Sequence, residues 1–161
     1  MKYGKVRFGY KDTFSLDATL SPIILAALIK FKEVITDPQR ADWVGVPSSL
    51  IQELYPEVRY DTTDEQLENG NKVWLEILDK MIYAFNPKNE PSMQDYDFSF
   101  ADFEFYEQSE EEFEKDLLRV KPLEINNPEE YERYKEDEKA YAAAVKEGYE
   151  LFGKHFQSIW W

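Results

Sequence analysis

The sequence predicts a mainly helical α+β fold, with about three principal helices packed on a small antiparallel sheet. Three observations predict it. Apolar residues recur at helical spacing in three long segments. Two shorter segments alternate polar and apolar residues, as half-buried strands do. The 161 residues suit one domain around one core, and aromatic residues make up 16% of them, so that core should be rich in rings.

The first alternating segment is Lys5-Val6-Arg7-Phe8-Gly9-Tyr10, a strand with Val6, Phe8 and Tyr10 on one face. A turn follows over 11–17. The first helix has two possible starts. Ser21 as N-cap with Pro22 at the first helical position is one. Ser15 as N-cap, with Pro22 inside and kinking the helix, is the other. In either case Ile24, Leu28, Phe31 and Ile35 form the apolar stripe, and Asp37-Pro38 ends it. Residues 38–62 read as an irregular connection in which Ser49 and Gln52 offer a capping box for a short turn through Leu54.

The second helix is expected from Thr63 to Phe85, with Thr63 and Gln66 as its capping box. Trp74, Leu78, Met81 and Phe85 mark its buried face, with Ile77 and Ile82 beside them. Gly70 costs about 1 kcal/mol in a helix interior, so a start at Asn71 also fits. A loop at 86–94 leads to Asp95–Phe105, which alternates acid and ring and slips register at Ala101-Asp102 as at a β-bulge. A bent strand is expected there, then a short acidic helix over 110–118. The last helix, about 128–159, has Asn127 as N-cap, Pro128 at its first position and Glu130 as a capping-box residue. Tyr131, Tyr134, Glu138, Tyr141, Val145, Tyr149, Phe152, Phe156 and Ile159 form one stripe on roughly 30 residues, about 45 Å of helix. Such a stripe packs across the whole domain or offers part of itself to a homodimer. Gly148 and Gly153 on this helix allow close approach of a neighbour, or mark fraying.

Charge is concentrated between Asn89 and Leu118, where eleven carboxylates face one lysine, a local −10 out of −14 for the chain. Seven aromatic residues are threaded through the same stretch. Two readings fit. The rings fill the core while the acids meet Lys5 and Arg7 on a neighbouring strand, or the surplus acids form a surface for a basic protein. The partner-binding residues expected on that surface are Asp95, Asp97, Asp102, Glu104, Glu107, Glu110, Glu111 and Glu112. It could occupy a channel lined by Lys and Arg in a nucleic-acid enzyme. Trp160 and Trp161 are expected to lie in the core or in an oligomer contact, because free tryptophans waste apolar area.

Other chemistry is weakly represented. The absence of cysteine excludes disulfides, thiolate metal sites and a cysteine nucleophile. His155 is the one histidine and the chain has no Gly-x-Ser-x-Gly elbow, so it reads as a solvent-facing residue favoured by the helix dipole. Asp95-x-Asp97 would suit Mg²⁺ or Mn²⁺ on one strand face, but such spacing is common in an acidic run, and no metal or other cofactor is expected. Glu147 and Glu150 lack the Glu-x-x-His of a di-iron bundle. Asp79, beside Lys80 and near Glu76, reads as a solvated face with ion pairing along its own helix. No phosphate loop or dinucleotide fingerprint occurs, and no pair of carboxylates points to glycosidase chemistry. Net acidity argues against direct nucleic-acid binding and against anionic membranes. The longest apolar run, Ile23–Ile29, is too short to span a bilayer, and no signal peptide is evident, so a cytoplasmic protein is expected.

Three patches carry a family resemblance: Asp12-Thr13-Phe14-Ser15-Leu16-Asp17-x-Thr19, then Trp74-x-x-Ile77-Leu78-Asp79-Lys80-Met81-Ile82-Tyr83-Ala84-Phe85, then Gly148-x-x-Leu151-Phe152-x-Lys154-x-Phe156 with Trp160 beyond. Together they resemble small acidic proteins encoded by tailed bacteriophages. Pro22 departs from the uninterrupted first helix expected of that group. The resemblance implies an accessory role in the host cell cytoplasm and brings no catalytic residues with it. The function expected is therefore non-enzymatic: binding and modulating a basic host protein through the acidic surface. A carboxylate-based metal-dependent hydrolase and a virion-associated or assembly protein are the alternatives.

Overall fold

The structure is a computed structural model that describes residues 15–39, 45–58, 61–100 and 125–159. It contains four α-helices among those residues: α1 (Leu16–Thr36), α2 (Ser48–Leu54), α3 (Asp64–Ala84) and α4 (Pro128–His155). Short 3-10 turns occupy Pro87–Asn89, Met93–Asp95 and Phe156–Ile159. The chain segregates into two compact units, one of Met1–Glu90 with Tyr141–Trp161, the other of Pro91–Ala140.

The expected sheet is absent from the described residues, where the only β pairing is an isolated antiparallel bridge between Phe100 and Ile125. The mainly helical part of the expectation stands and the α+β part is corrected. The physical reason lies in what a two-residue period specifies. It puts rings on one side of an extended backbone, and Tyr96, with φ −122° and ψ 144°, is extended. It does not specify what covers the rings, and here a helix does. The strand expected at 5–10, the bulge at Ala101-Asp102 and the short helix at 110–118 lie outside the described residues, as do Trp160 and Trp161.

In the first unit α3 is the central element. Trp74, Leu78 and Met81 are fully buried on it, and Phe85 is buried at its end. Leu28 and Phe31 of α1 and Leu50 of α2 complete the core cluster, with Leu151, Phe152 and Ile159 packed partly against it. Phe31 meets Trp74 edge to face at 6.4 Å, and Phe85 meets Phe152 and Tyr149, each at 4.9 Å.

α3 begins where its local chemistry says it should. The Thr63 hydroxyl accepts from the Gln66 N–H at 3.3 Å, and the Gln66 side chain accepts from the Thr63 N–H at 3.0 Å. Two otherwise orphan donors are thereby satisfied. Thr63→Ala is expected to cost about 1 kcal/mol, read as a shift in the urea midpoint; an unchanged midpoint would mean that the cap is dispensable. At the other end, the Asn89 side chain donates to the Tyr83 carbonyl at 2.9 Å.

Gly70 does not delay α3, which runs through it. A Cβ there would lie 2.5 Å from Cδ1 of Ile51, so the glycine admits α2 against α3. The Ser15 start is the one α1 adopts, with Pro22 inside the helix. Ser21 is not a cap: its hydroxyl donates to the Asp17 carbonyl at 2.7 Å. The Ser49–Gln52 capping box does not form either, since α2 starts at Ser48 behind Pro47 without a side-chain cap.

Asn127 caps α4 as expected, its Oδ1 accepting from the Glu130 N–H at 3.4 Å, while the Glu130 carboxylate that would complete a capping box pairs with Arg133 at 3.2 Å. It ends at His155 and tightens into the 3-10 turn. Gly148 is buried on it, and a Cβ there would sit 2.4 Å from Ala84 Cβ and 2.6 Å from the Lys80 carbonyl oxygen. The glycine is what lets α4 approach α3 this closely. Among the described residues, three ion pairs tie the helices of this unit: Lys32 with Asp79, Lys80 with Glu147 at 2.6 Å, and Lys154 with Glu53 at 2.7 Å. Asp79 and Lys80 thus find partners on other helices rather than along their own. No helix among the described residues is long and apolar enough to cross a membrane.

Candidate functional site

The second unit holds the described part of the acidic-aromatic segment. Residues 93–95 form a 3-10 turn, Tyr96 after it is extended, Phe100 sits in the isolated bridge to Ile125, and Ser99 anchors the stretch. Its N–H donates to Asn126 Oδ1 at 2.7 Å, and its carbonyl accepts from the Asn126 N–H at 3.2 Å. Asn127 next in sequence caps α4, so the anchor and the start of the helix are adjacent.

The alternate rings of this stretch lie on the helix. Tyr96 meets Tyr134 at 5.3 Å, Phe98 meets Tyr131 at 5.3 Å and Tyr134 at 5.6 Å, and Phe100 meets Tyr131 at 5.9 Å. Most of these contacts are edge to face, the arrangement in which the positive rim of one ring meets the negative face of another, worth about 0.5–1.5 kcal/mol per pair beyond area burial. The Tyr96 hydroxyl donates to Asp137 Oδ2 at 2.7 Å. That bond, with the Asp137 charge, raises the hydroxyl's pKa above its ordinary value. The guanidinium of Arg133 lies 5.6 Å from the Tyr96 ring centre, and the Lys135 ammonium 5.3 Å from that of Tyr131. Both distances fit cation–π attraction.

The intervening carboxylates do something different. Asp95 and Asp97 are exposed, and among the described residues no cation pairs with either. Arg133 and Lys135 are already engaged, by Glu130 at 3.2 Å and Glu132 at 3.0 Å. Exposed apolar surface accompanies the acids: Met93 is 51% accessible and Phe100 38%. The result is a ring layer fastened to a helix, with free carboxylates and some apolar surface facing solvent. Such an arrangement can attract cationic groups and offer them stacking partners. Of the expected partner-binding residues, Asp95 and Asp97 are placed on this face. Asp102, Glu104, Glu107, Glu110, Glu111 and Glu112 lie outside the described residues.

Asp137 and Arg133 were not singled out in the sequence. Both flank the aromatic stripe of α4 at a four-residue spacing, the one local signal that would have found them.

His155 is corrected. It is not solvent-facing but 3% exposed, with its ring 5.4 Å from that of Trp74. Burial, followed by the Lys154 charge, holds its pKa below the usual 6.5, while Glu53 acts weakly in the opposite direction. Among the described residues, its Nε2 and the Trp74 Nε1 are buried without a hydrogen-bond partner. Among the described residues no cluster of three or more acids or histidines is arranged to hold a metal ion.

No family model, curated protein or solved structure matches the chain.

Proposed function

We propose that this chain is a non-catalytic interaction protein that binds a basic protein through the acidic face of its second unit, in keeping with the phage accessory role implied by the sequence resemblance. One observation carries the reading. Along 95–100 the rings are committed to packing on α4 while Asp95 and Asp97 stay exposed and unpaired among the described residues. Unpaired carboxylates on a rigid ring layer keep their field available for Lys and Arg of a partner, which speeds encounter and makes binding sensitive to salt. The chain's −14 net charge extends that field.

The test is capture from bacterial lysate by the tagged protein, at low and at high salt, with Asp95→Asn/Asp97→Asn alongside. The expected result is a basic protein retained by the wild type, released by salt and reduced several-fold on the double variant. Equal retention by both proteins, or capture unaffected by salt, would overturn the reading.

A further inference from the structure

We propose that His155 is an acid-sensitive latch, whose neutral ring seats the last turn of α4 against Trp74 of α3 and whose protonation releases that turn. The geometry supplies the argument. The imidazole is buried, and Nε2 has no hydrogen-bond partner among the described residues. In the Nδ1–H tautomer of the neutral ring, Nε2 is a bare acceptor, a modest loss when buried. In the imidazolium it becomes a charged N–H donor with nothing to receive its proton, which is far more costly. The indole nitrogen of Trp74 cannot receive it, because it is itself a donor, and that N–H is also unpartnered among the described residues. The two rings meet edge to face, their centres 5.4 Å apart at an interplanar angle of 65°.

Among the described residues, the charges that act on the ring come from two helices. On α4, Lys154 opposes protonation; from α2, Glu53 favours it, but its carboxylate is already held by Lys154 at 2.7 Å. α3 contributes Trp74, and no charged group among its described residues acts on the ring. The same turn therefore carries both the buried ring and the ion pair that ties α4 to α2, so that its release breaks both contacts. The sign follows from linkage. The unfolded or opened state takes up the proton near pH 6.5 and the closed state only at lower pH, so the latch is fully formed above 6.5 and weakens as pH falls from there toward the lowered value.

Because His155 is the one histidine, its imidazole Cε1–H gives a single NMR signal that can be titrated in the intact protein. The expected midpoint lies below 6.5, and the Trp74 indole N–H should shift or lose exchange protection at the same midpoint. In His155→Phe, which keeps an aromatic ring but no proton site, the Trp74 signal should stay constant between about pH 7 and 5. A His155 midpoint at or above 6.5, or a Trp74 signal that ignores it, overturns the latch. Should His155→Phe fail to fold, the wild-type titration decides alone.

Discussion

Leu78→Ala is expected to remove about 2–5 kcal/mol of stability, the range for a large-to-small change at a site that cannot collapse. Leu78 is 0% exposed at the centre of α3, within a cluster that includes Leu28 and Phe31 of α1 and Leu50 of α2. Truncation there opens a cavity within a cluster built from α1, α2 and α3. Urea denaturation followed by far-UV circular dichroism reads the effect. A loss below about 1 kcal/mol would show that the core is loosely packed at this point.

Gly148→Val is expected to cost about 1–3 kcal/mol through overpacking, although valine is the better helix former. The contest between those two effects is decided by what the new atoms would meet. A Cβ at 148 would collide with the Lys80 carbonyl, which is backbone and cannot turn aside, and with Ala84 Cβ. Ala84→Gly removes only the second collision, so it should rescue the variant incompletely. Gly153 is the internal control. A Cβ there meets nothing within 4 Å, and Gly153→Ala should be neutral or gain up to about 1 kcal/mol from helix propensity. Two glycines on one helix thus carry opposite expectations, checked by comparing urea midpoints; a harmless Gly148→Val would refute the close α3–α4 approach.

What could be read from the sequence follows a physical division. The start of α3 and its stripe of Trp74, Leu78, Met81 and Phe85 were legible because capping and helical periodicity are local. So was the start of α4 at Asn127-Pro128. Partners across the chain were not legible. Lys32 with Asp79, Lys80 with Glu147 and Lys154 with Glu53 depend on how helices are placed, and Asp79 was accordingly assigned to its own helix. His155 was misread for the same reason, since the dipole argument sees the end of a helix but not the indole beside it. The alternation at 95–100 points to part of a bent strand, but Asp95 closes a 3-10 turn and no strand forms among the described residues; the period shows which rings share a side, and Tyr131 and Tyr134 of α4 cover them. At the candidate site, the exposed Asp95 and Asp97 were legible as charge, whereas the hydrogen bond from Tyr96 to Asp137 was not.

The central claim is that the carboxylates beside the ring layer, rather than net charge alone, bind a cationic partner. The most direct measurement is the dissociation constant of the captured partner across a range of salt concentrations, for the wild type, Asp95→Asn/Asp97→Asn, and a variant neutralised by the same two charges at Glu65 and Glu68 on α3 in the other unit. The account expects weaker affinity and a shallower salt dependence for the Asp95/Asp97 variant, with the Glu65/Glu68 variant close to wild type. Equal losses in both variants would contradict it, because net charge alone would then explain the binding.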